Sequence, residues 1–122
     1  MTVELLSVGK RIKEPNGETR VLFDDLDFRL GRPPSAVAIM GRSGSGKTSL
    51  LRIIAGLDTG YTGTYTFEGE TVDRDAIRLS RLRWSSIGYV TQRFDLLDDR
   101  SALRNVMFGC PDRRTAKERS QE

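Results

Sequence analysis

A chain of 122 residues has the length of a single domain, and 37% hydrophobic with 30% charged residues exclude a disordered or collagen-like polymer. The absence of histidine and the single cysteine, Cys110, exclude Ser-His and Cys-His nucleophilic dyads, an internal disulfide and Cys- or His-built metal cages. Twenty basic against 17 acidic residues leave a net charge of only +3, spread evenly along the chain, so no basic stripe points to nucleic acid.

In chain order, residues 3–8 are short and mixed, as in an edge strand. Pro15-Asn16-Gly17 supplies turn chemistry between residues 10–13 and 19–23, which predicts a hairpin. Leu26, Phe28 and Leu30 alternate with polar partners at the period of a half-buried strand, and Gly31-Arg32-Pro33-Pro34-Ser35 breaks it. Ala36-Val37-Ala38-Ile39-Met40 is apolar on both faces and reads as a parallel strand covered on both sides. It is the longest unbroken apolar run, far too short to span a membrane. Residues 1–10 lack the pattern of a secretory leader, so a cytoplasmic location is expected.

A helix is predicted over residues 47–57, with Leu50, Leu51, Ile54 and Leu57 as its apolar stripe and Gly56 as its stop. Residues 64–67 form a short strand, with Glu68-Gly69 as its turn. Asp73 is placed to cap a helix reaching Arg83, whose Arg74, Arg78, Arg81 and Arg83 read as a solvated polar face. Ile87 to Thr91 is a second buried-strand candidate, and residues 96–107 are irregular or helical. Trp84 and Phe94 are expected to pack in the interior, and Cys110 to be inert.

Gly41-Arg42-Ser43-Gly44-Ser45-Gly46-Lys47-Thr48 satisfies G-x-x-x-x-G-K-[ST] in full. Glycines let backbone N–H groups approach phosphate oxygens without Cβ obstruction, and the following helix points its positive end at the same anion. Lys47 supplies a mobile charge for the terminal phosphates, and the Thr48 hydroxyl is a ligand for Mg2+. A buried strand before the loop and an amphipathic helix after it are the context this motif requires. The residues therefore predict a nucleotide phosphate site.

Over residues 3–109 the sequence resembles the nucleotide-binding subunits of ABC transporters. The resemblance is carried by the phosphate loop continued through Ser49-Leu50-Leu51 and Ile53-Ile54-Ala55-Gly56-Leu57-Asp58. Tyr61-Thr62-Gly63-Thr64-Tyr65-Thr66-Phe67-Glu68-Gly69 extends it, as do Ile87-Gly88-Tyr89-Val90-Thr91-Gln92, Phe94-Asp95-Leu96-Leu97 and Ala102-Leu103-Arg104-Asn105-Val106. From Leu82-Arg83-Trp84 onward it is most similar to the lipoprotein-releasing and macrolide-exporter type.

The resemblance implies an α/β P-loop NTPase fold, with an antiparallel β subdomain and an incomplete parallel core sheet over residues 1–109. A polar, disordered tail is expected over 110–122. It further implies ATP and Mg2+ as ligands, held by residues 41–49 including Ser49, with Thr48 and Gln92 on the metal. Gln92 is the implied catalytic residue, reaching the attacking water and relaying nucleotide state to a membrane partner; its amide offers both an acceptor and donors. A second ATP-binding subunit and a transmembrane permease are the implied partners. The implied location is cytoplasmic, or peripheral on the inner face of the membrane through that permease.

Several family elements do not occur in these residues. There is no L-S-G-G-Q signature, no apolar strand ending in Asp-Glu and no switch histidine; Asp98-Asp99 follows only two apolar residues and reads as a polar loop. The position where the family stacks an aromatic ring on adenine falls on Ile12, which lacks a π face. Binding without hydrolysis is the expectation for these 122 residues. The alternative is a regulatory fragment or truncated product without transport activity.

Overall fold

The computed structural model describes residues 2–32, 34–91 and 97–108. The chain forms two compact units, Met1–Leu79 and Ser80–Glu122.

The first unit is built on a four-stranded antiparallel sheet of order β2-β1-β3-β4. Strands β1 (Val3–Lys13) and β2 (Thr19–Leu30) are joined by the expected turn. Gly17 adopts φ 87°, the Glu18 amide donates to the Asn16 side-chain oxygen at 3.0 Å, and the Glu14 amide donates to the Glu18 carbonyl at 2.7 Å. β2 is one continuous strand, with Leu26, Phe28 and Leu30 half-buried in alternation as predicted.

The segment read as an edge strand is instead interior, paired to β2 on one side and to β3 (Thr62–Phe67) on the other. Its mixed composition reflects a bulge. At Ser7 (φ 50°) the alternation of buried residues slips, and the Asp27 carboxylate accepts the freed amide at 2.8 Å. Charged residues on β2, one of the two edges of the sheet, guard it against pairing with other chains. Between β3 and β4 (Glu70–Thr71), Glu68 and Gly69 both take positive φ, as a two-residue hairpin loop of the primed type requires.

Helix α1 (Lys47–Ile54) is shorter than the predicted span. It ends in a Schellman motif: Leu57 N–H donates to the Arg52 carbonyl at 2.8 Å and Gly56 N–H to the Ile53 carbonyl at 3.0 Å. The core gathers Val3, Leu5 and Val8 of β1, Tyr65 and Phe67 of β3, and Leu50 and Ile53 of α1. Of the predicted stripe, Leu51 and Leu57 are exposed, the latter beyond the end of α1, and Ile53 is the fully buried residue instead. The Tyr65 hydroxyl donates to the Ile54 carbonyl at 2.7 Å, joining β3 to the end of α1.

Lys10 of β1 reaches the segment after α1. Its ammonium pairs with Asp58 Oδ2 at 2.8 Å and donates to the Gly60 carbonyl at 2.9 Å. Burial by itself would raise the Asp58 pKa, but the hydrogen bond from Lys10, the Gly60 amide and the charges of Lys10 and Arg52 hold it below its ordinary value. A depressed carboxyl pKa stabilises the fold above the unfolded value, and the gain is lost as pH falls through the folded one. Asp58→Asn is therefore expected to cost about 1 kcal/mol at pH 7, with the two unfolding curves converging in acid once the Asp58 carboxylate is protonated in the folded state. Denaturant titration at pH 7 and along an acid series checks this.

Neither apolar segment read as a parallel core strand pairs into a sheet among the described residues. Residues 36–40 are mostly exposed, Val37 at 52% and Met40 at 88%, and Val90 in the second is 94% exposed. A doubly covered strand needs a ladder partner on each side and helices on both faces. Within the described residues these two segments have no such neighbours, so their apolar character does not convert into strand.

Helix α2 (Ala76–Ser86) begins in the first unit and ends in the second. Its cap is Asp75 rather than Asp73: Asp75 Oδ1 accepts the amides of Ile77 and Arg78, both at 3.1 Å. Asp73 instead accepts the Asp75 amide at 2.8 Å and pairs with Arg78 at 2.8 Å. Arg74 stacks on Tyr61, 4.2 Å from the ring centroid, ahead of the helix. In the second unit Trp84 is 53% exposed, not interior. Helix α3 (Ala102–Phe108) follows a turn that Asn105 pins, exchanging hydrogen bonds with the Leu97 backbone and donating to the Ser101 carbonyl. Phe94 and Cys110, and the expected tail over 110–122, lie outside the described residues.

Candidate functional site

The phosphate loop leads directly into α1, as the motif demands. Ser45 N–H donates to the Arg42 carbonyl at 3.1 Å and closes a turn in the loop. Gly44 (φ 80°) and Gly46 (φ 94°, ψ 7°) both occupy the left-handed region. Gly46 is the residue before the first helical turn, and a Cβ there would lie 3.0 Å from the Phe23 ring and 3.2 Å from the Leu22 Cβ. Positive φ and a packed wall together make glycine obligatory at this point. A Cβ on Gly41 would come within 2.7 Å of the Ser45 hydroxyl.

No side chain caps the N-terminus of α1, and its first turn carries no acid. Its amide groups and the positive end of its dipole are thus uncompensated by the protein, an arrangement suited to an anion. The half-buried Lys47 curls back so that its ammonium donates to the carbonyls of Gly41 and Arg42, the second at 3.2 Å. The cation is held at the mouth of the loop. Arg42, Ser43, Gly44, Ser45 and Thr48 are exposed there, while Gly46 and Ser49 are half-buried. A narrow, glycine-lined cradle with one lysine and a free helix end fits the phosphates of a nucleotide.

Thr48 presents its hydroxyl from the first turn of α1, whereas Gln92 lies outside the described residues. Among the described residues no group of three or more acidic, Cys or His side chains could hold a metal ion.

Sequence reasoning missed how the β1–β2 hairpin backs this loop. Leu22 and Phe23 form the wall behind Gly46. Arg20 donates through Nη1 to the Gly44 carbonyl at 3.4 Å, and its Nε is paired with Glu14 at 2.7 Å. The register sets Arg20 directly opposite Ile12, so both side chains stand on one face. The Asn-Gly turn was the available signal, because it fixes this pairing and brings Glu14 beside Arg20.

Comparison with known proteins agrees with this geometry. The ABC transporter family profile matches residues 23–122. The macrolide export ATP-binding/permease protein MacB of Rhodopseudomonas palustris strain BisB18 is 44% identical over 100 residues, covering 80% of this chain and 15% of that protein. The phosphonates import ATP-binding protein PhnC of Thiobacillus denitrificans is 36% identical over 107 residues, covering 88% of this chain and 38% of that protein. The ATP-binding cassette MJ0796, solved as a dimer in a post-hydrolysis state with ADP and Pi, superimposes with a TM-score of 0.82 at 28% identity. That match covers 98% of this chain and 54% of the cassette. The chain thus spans about half of the solved cassette and a small part of the MacB proteins. With its phosphate loop, its antiparallel sheet and these relatives, the chain belongs to the ABC transporter family and has the P-loop NTPase fold of that family's ATP-binding cassettes.

Proposed function

We propose that residues 41–49 bind the phosphates of ATP with Mg2+, as the nucleotide clamp of a cassette that powers transport through a membrane permease. The observation that carries this reading is the complete G-x-x-x-x-G-K-T sequence on a loop with two left-handed glycines, an uncapped helix end and Lys47 at its mouth. Backbone amides of the loop and of the first turn of α1 hold the phosphates. Lys47 leaves its loop carbonyls to neutralise the terminal phosphate charge, and the Thr48 hydroxyl is a ligand to the metal. Mg2+ supplies charge neutralisation between the phosphates when bound. Ile12 packs on the base by apolar contact alone, which weakens discrimination between bases.

The relatives named as macrolide exporters support an export cassette of that type. The dimeric solved cassettes support a second ATP-binding subunit as a partner; the location at the cytoplasmic face of a permease rests on the family resemblance. No described helix is long and apolar enough to cross a membrane. Gln92, on its resemblance to the family's glutamine, orients the attacking water and relays nucleotide state to the permease. The 122 residues contain the clamp and Gln92 but no apolar strand ending in Asp-Glu and no histidine, so by themselves they bind nucleotide without turning it over. Calorimetric titration with MgATP, run beside a phosphate-release assay, tests this. One saturable site with no release supports the reading; no binding, or steady release, contradicts it.

A further inference from the structure

We propose that Arg20, held by Glu14, is a positioning residue that braces the phosphate loop from the hairpin. The inference rests on the nucleotide reading above and adds a residue outside the motif to it. Arg20 lies 21 positions before the loop begins, yet its Nη1 reaches the Gly44 carbonyl at 3.4 Å. Gly44 is the left-handed residue at the middle of the loop, with φ 80°. Its carbonyl orientation fixes the plane of the following peptide, and therefore the direction of the Ser45 N–H, whose bond to the Arg42 carbonyl at 3.1 Å closes the loop's turn.

The guanidinium is itself oriented. Its Nε is paired with Glu14 Oε1 at 2.7 Å, and Glu14 stands at the start of the turn whose backbone bonds hold the hairpin together. A rigid planar fork suits this task, because one edge takes the carboxylate while another donor addresses the carbonyl. Lysine can satisfy one partner or the other, but it has no fork to hold both in one plane. The brace therefore holds the turn that shapes the loop around the phosphates, without touching the nucleotide. Arg20 is exposed and Glu14 half-buried, and neither belongs to the core, so removing them opens no core.

The experiment compares MgADP and magnesium pyrophosphate on the full chain. In Arg20→Ala both ligands are expected to weaken by about fivefold, with the unfolding midpoint nearly unchanged. Arg20→Lys recovers part of the loss. Glu14→Gln shows a smaller loss, and the double variant loses less than the product of the two single effects. A loss confined to MgADP overturns the brace, because it places Arg20 on the base or ribose instead. Unchanged affinity for both ligands, or additive single effects, also overturns it. If the wild-type chain binds neither ligand, the nucleotide reading itself fails, which is distinct from a wild type that binds while Arg20→Ala binds equally well.

Discussion

Lys47→Ala is expected to weaken MgATP binding by roughly a hundredfold while leaving the fold intact. The ammonium sits at the mouth of the loop, where the Gly41 and Arg42 carbonyls hold it. A hydrogen bond between charged groups contributes about 2–3 kcal/mol, and 1.4 kcal/mol is a tenfold change in affinity. Lys47 is not among the core residues, so the loss should appear in the titration and not in the unfolding curve. Lys47→Arg keeps the charge but brings a wider fork into a narrow loop, and should fall between the two. A variant that binds as tightly as the wild type would remove the phosphate loop from the account.

The largest effect on stability is expected at Tyr65. Its ring is 2% exposed, among the most buried side chains, and its hydroxyl donates to the Ile54 carbonyl. That carbonyl belongs to the last turn of α1, where helical carbonyls have no partner within the helix. Tyr65→Ala removes an aromatic ring from a packed core and is expected to cost about 3–5 kcal/mol. Set against a total of about 5–15 kcal/mol, that leaves the first unit close to unfolding. Tyr65→Phe removes only the hydrogen bond, at about 1 kcal/mol.

The pH dependence separates the two contributions. Burial first, and then the neighbouring Tyr61, push the Tyr65 phenol well above its ordinary range. A folded pKa above the unfolded one gives stability that is present below the unfolded value and lost as pH rises past it. The advantage of Tyr over Phe should therefore narrow above about pH 10. Denaturant unfolding of the three proteins at pH 7 and pH 10.5 measures both effects.

How much was legible in the sequence differs from element to element, and the reasons are physical. Local chemistry was readable: Pro15-Asn16-Gly17 gave the hairpin, Glu68-Gly69 the second turn, and Gly56 the end of α1, since each depends on backbone preferences within a few residues. The phosphate loop was readable for the same reason. Non-local features were not. The mixed composition of residues 3–8 suggested an edge, because a bulge at Ser7 shifts the alternation that marks a buried strand. Residues 36–40 and 87–91 have the composition of core strands, but sheet structure needs partners that composition cannot supply. Asp73 and Asp75 are equally good caps by type, and only the helix geometry chooses between them. The brace from Arg20 was invisible because it joins residues 24 apart through side-chain reach. Gln92, the residue on which the implied catalysis rests, lies outside the described residues, so its role stands on the resemblance alone.

The central claim, that this loop is a nucleotide phosphate site, is tested most directly by following backbone amide resonances of the labelled chain as MgATP is added. Saturable shifts at Gly41, Gly44, Ser45, Gly46, Lys47 and Thr48, which in Lys47→Ala need roughly a hundredfold more nucleotide, are the predicted result. Shifts that leave these amides untouched, or none at saturating nucleotide, would contradict it.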